Sequence, residues 1–138
     1  MKVLVDTSVW SLALRRKQPA DSPVVTELIE LIGEVRCQII GPVRQELLSG
    51  IKSQVQFQQL RHHLRAFPDL ETTTLDYESA ADFFNLCREK GIQGSNTDFL
   101  ICAIAARHKI PIFTTDENFT LFQPHLPITL HRPRPLTA

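Results

Sequence analysis

Four acidic residues, Asp6, Glu46, Asp98 and Asp116, stand where a carboxylate can do chemistry. Asp6 ends the apolar opening of VLVDTSVW, and Asp116 ends a second apolar run in FTTDENF. Asp98 falls in the first turn of a helix starting at Asn96, and Glu46 lies just past the first turn of a helix opened by Pro42. Singly, each has an ordinary explanation as a turn former, a dipole-favoured first-turn acid or a solvated helix residue. Gathered together they would repel and shift one another's pKa values, an arrangement that makes physical sense when a cation sits among them. Oxygen donors alone, without histidine or cysteine, point to Mg²⁺ or Mn²⁺.

What would gather them is the order of the elements. Apolar runs of strand length alternate with segments of helical period, the signature of an α/β fold with a parallel sheet and crossover helices. Five strands are expected near residues 2–5, 36–40, 71–75, 112–115 and 128–130, the polar third one at an edge. Ser22 and Pro23 supply a cap and first-turn proline for a helix whose Val24, Val25, Leu28, Ile29, Leu31, Ile32 and Val35 share one broad apolar face. Further helices are expected over 8–14, after Pro42, through Phe57, Leu60, Leu64 and Phe67, and from a cap at Asp76 to Gly91. The helix from Asn96 is apolar nearly all round and should be buried deepest. In such a fold helix starts and strand ends share one edge, where ligands bind at the point of strand-order reversal. With the order 3-2-1-4-5, Asp6 and Asp116 end neighbouring strands roughly 5 Å apart.

The chain has 138 residues, enough for one domain with a single core. Fifteen Lys plus Arg balance fifteen Asp plus Glu, which excludes indiscriminate nucleic-acid binding through an overall basic field. Cys37, Cys87 and Cys102 show no ligand spacing and suit a reducing cytosol. Asp6 interrupts the one signal-like segment, and the longest apolar run, residues 99–106, is too short to cross a bilayer, so a cytoplasmic location is expected. The domain is placed at 1–130, and HRPRPLTA, residues 131–138, reads as a short proline-containing tail, partly disordered.

The stretches VLVDTSVW, PVRQELLSG and TDFLICAIAARHKIPIFTTDENF, in this order, resemble a PIN-domain ribonuclease, and most closely the VapC-type toxins of toxin-antitoxin pairs. The resemblance covers nearly the whole chain and implies a three-layer α/β/α PIN fold and a metal-dependent endoribonuclease acting by hydrolysis to 5′-phosphate and 3′-hydroxyl ends. It implies that Asp6, Glu46, Asp98 and Asp116 form the catalytic set, with Asp6, Asp98 and Asp116 as metal ligands and Thr7, Ser8 and Asn118 in support. A cognate antitoxin and a homodimer are implied as well. Asn118 departs from the pattern, because many relatives carry an additional acid there. An amide accepts a bond from metal-bound water but adds no charge, which weakens a second metal position.

An acidic site must still attract a polyanion, and Arg15, Arg16 and Lys17 form the nearest positive run, with a solvated helix end as the plain alternative. His62 and His63 point in different directions and are expected in solvent, while Trp10 is expected in the core or at an interface. Dehalogenase-type phosphatases need a second aspartate where Ser8 stands. Receiver domains need paired acids at the first strand and a lysine after a later one, and Lys109 precedes its strand. The remaining alternative is a catalytically weak PIN-like module that binds RNA or protein.

Overall fold

The computed structural model describes residues 1–14 and 22–136, so Arg15, Arg16 and Lys17 lie outside the described residues. Among the described residues four strands, β1 (Val3–Val5), β2 (Cys37–Ile40), β3 (Asp69–Leu70) and β4 (Ile112–Phe113), pair in parallel in the order β3-β2-β1-β4. Ile112 also forms an isolated parallel bridge with Leu130, so the fifth position of the expected order is filled, but by a bridge rather than a strand. Pro127 and Pro133 bracket this short run, and neither offers an N–H to a ladder.

The third strand also differs from expectation. It lies at Asp69–Leu70, because Thr73 leaves the extended segment to cap α5 (Thr74–Glu89): its hydroxyl accepts from the Asp76 amide, and Asp76 accepts from the Thr73 amide in return. Asp76 is therefore the closing member of the box, not the cap. Its carboxylate is buried and takes Arg107 through two hydrogen bonds of 2.7 and 2.9 Å.

The remaining helices are α1 (Thr7–Leu14), α2 (Pro23–Gly33), α3 (Gly41–Leu48), α4 (Gln54–Leu64), α6 (Asn96–His108) and α7 (Asn118–Phe122). Helix α1 packs against α2 and α3, α3 against α4, and α5 against α6. Every residue from Phe99 to Ala105 of α6 is buried, as its all-round apolar pattern requires. Gly94 makes the approach to α6 possible, since a Cβ there would meet Phe122 at 2.6 Å and Phe99 at 2.9 Å. Trp10 is a core residue set edge-on to Phe67, with ring centroids 5.2 Å apart, and His62 and His63 are exposed.

On α2 the broad apolar face proves narrower. Ser22 caps the helix as expected, and Val25, Leu28 and Leu31 are buried, but Ile29, Ile32 and Val35 are exposed. The buried face is shared by Glu27 instead, only 2% exposed. Glu27 holds His131 at 2.7 Å and the Arg134 guanidinium at 2.9 Å, which ties the beginning of the expected tail to the domain.

Candidate functional site

The site forms where β1 and β4 end. The backbone N–H of Asp6 donates to Phe113 O at 2.9 Å, continuing the ladder by one residue, and the Asp6 carbonyl accepts from Val9 and Trp10 to start α1. Asp6 is thus locked between a strand end and a helix N-terminus, where the dipole favours a carboxylate. It is 4% exposed. Its Oδ2 accepts from the hydroxyls of Ser8 and Thr114, both at 2.8 Å. Ser8 Oγ in turn accepts from the Thr115 amide at 3.0 Å, and Thr114 Oγ1 from the Asp116 amide at 3.0 Å. These bonds tie the loop after β4 to the one after β1.

Burial pushes the Asp6 carboxyl above its usual value, more than the bonds from Ser8, Thr114 and the local amides pull it down. Asp98 is raised too, first by burial, then by the negative charges of Asp6 and Asp116, against the lowering effect of Ser95. Asp98 closes a capping box with Ser95 through Oδ2 at 3.0 Å, so the ordinary first-turn role and a place among the acids coexist in one side chain. Asp116 Oδ1 accepts from the Asn118 amide at 2.9 Å. The bonds that hold Asp98 and Asp116 therefore use one oxygen of each.

Asp98 lies within electrostatic reach of both Asp6 and Asp116. Glu46 is exposed on α3 and is not among the charges that raise Asp98. Of the supporting residues, Ser8 acts through its hydroxyl and Asn118 through its backbone amide, whereas Thr7 Oγ1 is buried without a partner. Thr114 and Ser95 escaped the sequence reading. The available signal was a hydroxyl residue two before Asp116 and another three before Asp98, the second being half of a capping-box pattern.

Among the described residues, no three His, Cys, Asp or Glu side chains stand close enough together to enclose a metal. The donor chemistry nonetheless fits a hard cation, since Mg²⁺ keeps several waters and takes only one or two carboxylates directly. A cleft of about 300 Å³ opens at Asp116, lined also by Thr114, Thr115, Glu117, His131 and Arg132 but not by Asp6 or Asp98.

Three solved structures share this architecture. The structure of FitAcB from Neisseria gonorrhoeae superposes with a TM-score of 0.75 at 21% identity, covering 95% of this chain and 97% of that one. VapBC2 from Rickettsia felis, bound to a DNA fragment from its promoter, gives 0.73 at 18% identity, covering 95% and 98%. VapBC-5 from Mycobacterium tuberculosis, a member of the VapBC family of toxin-antitoxin systems, gives 0.67 at 16% identity, covering 96% and 99%. No curated protein matches the sequence. The PIN domain profile matches residues 3–122, nearly the whole described fold with all three clustered aspartates, and the chain belongs to the PIN domain family, whose members are in general nucleases.

Proposed function

We propose that this chain is a Mg²⁺- or Mn²⁺-dependent endoribonuclease, the toxin of a toxin-antitoxin pair, working in the cytoplasm as a homodimer restrained by a cognate antitoxin. The observation that carries the reading is Asp6: a nearly sealed carboxylate, raised by burial, within electrostatic reach of Asp98 and paired with hydroxyls and amides instead of a cation. A fold does not keep such a group for stability, since burial of an unpaired charge is costly.

Asp6, Asp98 and Asp116 would hold the metal, with Glu46 a further member of the catalytic set reached by movement of its exposed side chain. When bound, the metal supplies an acidified water and neutralises phosphate charge. Ser8 and Thr114 fix Asp6 in one orientation, and the raised carboxyl of Asp98 suits it to accept the proton of the attacking water. Attack by water leaves a 5′-phosphate and a 3′-hydroxyl. The antitoxin partner follows the likeness to the VapBC complexes.

The test is cleavage of RNA by the purified protein in Mg²⁺ and in EDTA, beside Asp6→Asn and Asp98→Asn. Each variant keeps size, loses a ligand charge and should lose activity at least roughly 100-fold, more than a supporting residue costs, while remaining folded. Cleavage retained with unchanged metal dependence would sink the assignment. The open spacing of the acids favours one second reading, a binding module: it requires RNA binding by the wild type without metal-dependent cleavage.

A further inference from the structure

We infer that Arg132 grips the phosphate backbone of the substrate at the edge of the acidic site, held there by a C-terminal arm that Glu27 pins to the domain. The inference rests on the ribonuclease reading and deepens it. With a net charge of zero, the chain has no general field to draw a polyanion toward three aspartates, so a cation must be placed locally. Most arginines near the fold's carboxylates are engaged: Arg36 with Glu34, Arg44 with Asp69, Arg107 with Asp76, and Arg134 with Glu27 and Glu34. Arg132 is exposed, has no hydrogen bond or ion pair to any described residue, and lines the cleft beside Thr114, Thr115 and Asp116.

The backbone carrying it is fixed on both sides. Before it, Leu130 bridges Ile112, the His131 amide donates to Ile112 O at 2.7 Å, and the His131 ring meets Glu27 at 2.7 Å. After it, Arg134 gives Glu27 its backbone amide at 3.1 Å and its Nε at 2.9 Å, and reaches Glu34 at 2.8 Å. Pro133 restricts the residue before it to extended backbone. The motif HRPR therefore works as an arm clamped at His131 and Arg134, with Arg132 turned to the cleft. A guanidinium with unspent donors on a preorganised backbone suits bidentate phosphate binding, at little cost in chain entropy. Glu117 lines the same cleft, so the arginine also offsets a local excess of carboxylates against an anionic ligand.

The experiment uses the full chain with a single-stranded RNA oligonucleotide. Arg132→Ala should raise KM about tenfold, the worth of one charge-assisted contact, with kcat within about twofold. In an Asp98→Asn background, where binding is followed without turnover, Arg132→Ala should flatten the log-log salt dependence of affinity by about 0.7. Arg132→Lys should restore the slope, and neither variant should shift the melting temperature. A wild type that cleaves, together with an Arg132→Ala protein of unchanged KM and slope, overturns this inference alone. A melting temperature lowered equally in both variants also overturns it, by making the residue structural. A wild type that neither binds nor cleaves RNA removes the ribonuclease reading and this inference with it.

Discussion

Glu27 and Asp6 are both nearly sealed carboxylates, 2% and 4% exposed, yet the fold treats them in opposite ways. Burial pushes Glu27 up, but the hydrogen bonds from Arg134 and His131 outweigh it, and its carboxyl ends below the usual range. At Asp6 burial wins over the Ser8 and Thr114 hydroxyls, and the carboxyl ends above it. Asp76 belongs with Glu27, because Arg107 lowers it despite burial. The difference separates a charge that joins elements from one that, on the proposed reading, is kept for a metal: the first is given cations by the protein, the second only dipoles and a neighbouring acid.

The largest effect on stability should fall on the cation-paired side of that comparison. Glu27→Gln keeps the shape of α2 but weakens several charge-assisted bonds at once, which should cost about 2 kcal/mol and lower the melting temperature by roughly 5 to 8 °C. Asp6→Asn removes no cation partner and should leave the metal-free melt unchanged or raised. Thermal melts of both variants in EDTA check the pair. If Asp6→Asn proves the more destabilising, Asp6 is a structural residue and the contrast collapses.

The same two regions show what a sequence can disclose. Asp6, Asp98 and Asp116 were legible because strand ends and helix starts are marked locally, by apolar runs, caps and dipole preferences, and the parallel topology does the gathering. Thr114 was not, since which hydroxyl faces Asp6 depends on the register of β1 with β4. The misplaced third strand has a local cause: threonines of high strand propensity also cap helices, and at Thr73 the cap wins. The arm at residues 131–134 looked like a tail because its anchor lies a hundred residues earlier. The one signal was Glu27, an acid set among the apolar residues of α2, which a buried face accepts only with a partner.

A cation should reveal the other side. Asp98 is raised partly by Asp6 and Asp116, so neutralising one member should relieve repulsion in the metal-free protein. At Mg²⁺ about ten times its dissociation constant, linkage gives RT ln 11, on the order of 1.4 kcal/mol, for the wild type. That corresponds to a rise of roughly 3 to 6 °C in melting temperature. Asp98→Asn should melt higher than wild type in EDTA and gain less from Mg²⁺. Equal metal-free melts and equal increments would mean that the three aspartates do not act as one cluster.

The smallest effect, and the sharpest on mechanism, lies in the acid limb. Glu27 has a folded pKa below its unfolded one, so the unfolded chain takes up a proton first as pH falls. Its contribution to stability is fully present above the unfolded value near 4.5 and is lost as pH drops through the folded value. Glu34, lowered to about 2, first by its bond from Arg134, follows the same sign over a window from about 4.5 to about 2. Glu27→Gln lacks the first of these titrations, so the stability gap between wild type and variant should narrow steadily as pH falls below about 4.5. Urea melts across that range measure the gap directly. A gap that stays constant down to pH 2 would mean that Glu27 holds the arm by shape rather than by charge, and the arm that carries Arg132 would then be clamped without the ion pairs that distinguish it from Asp6.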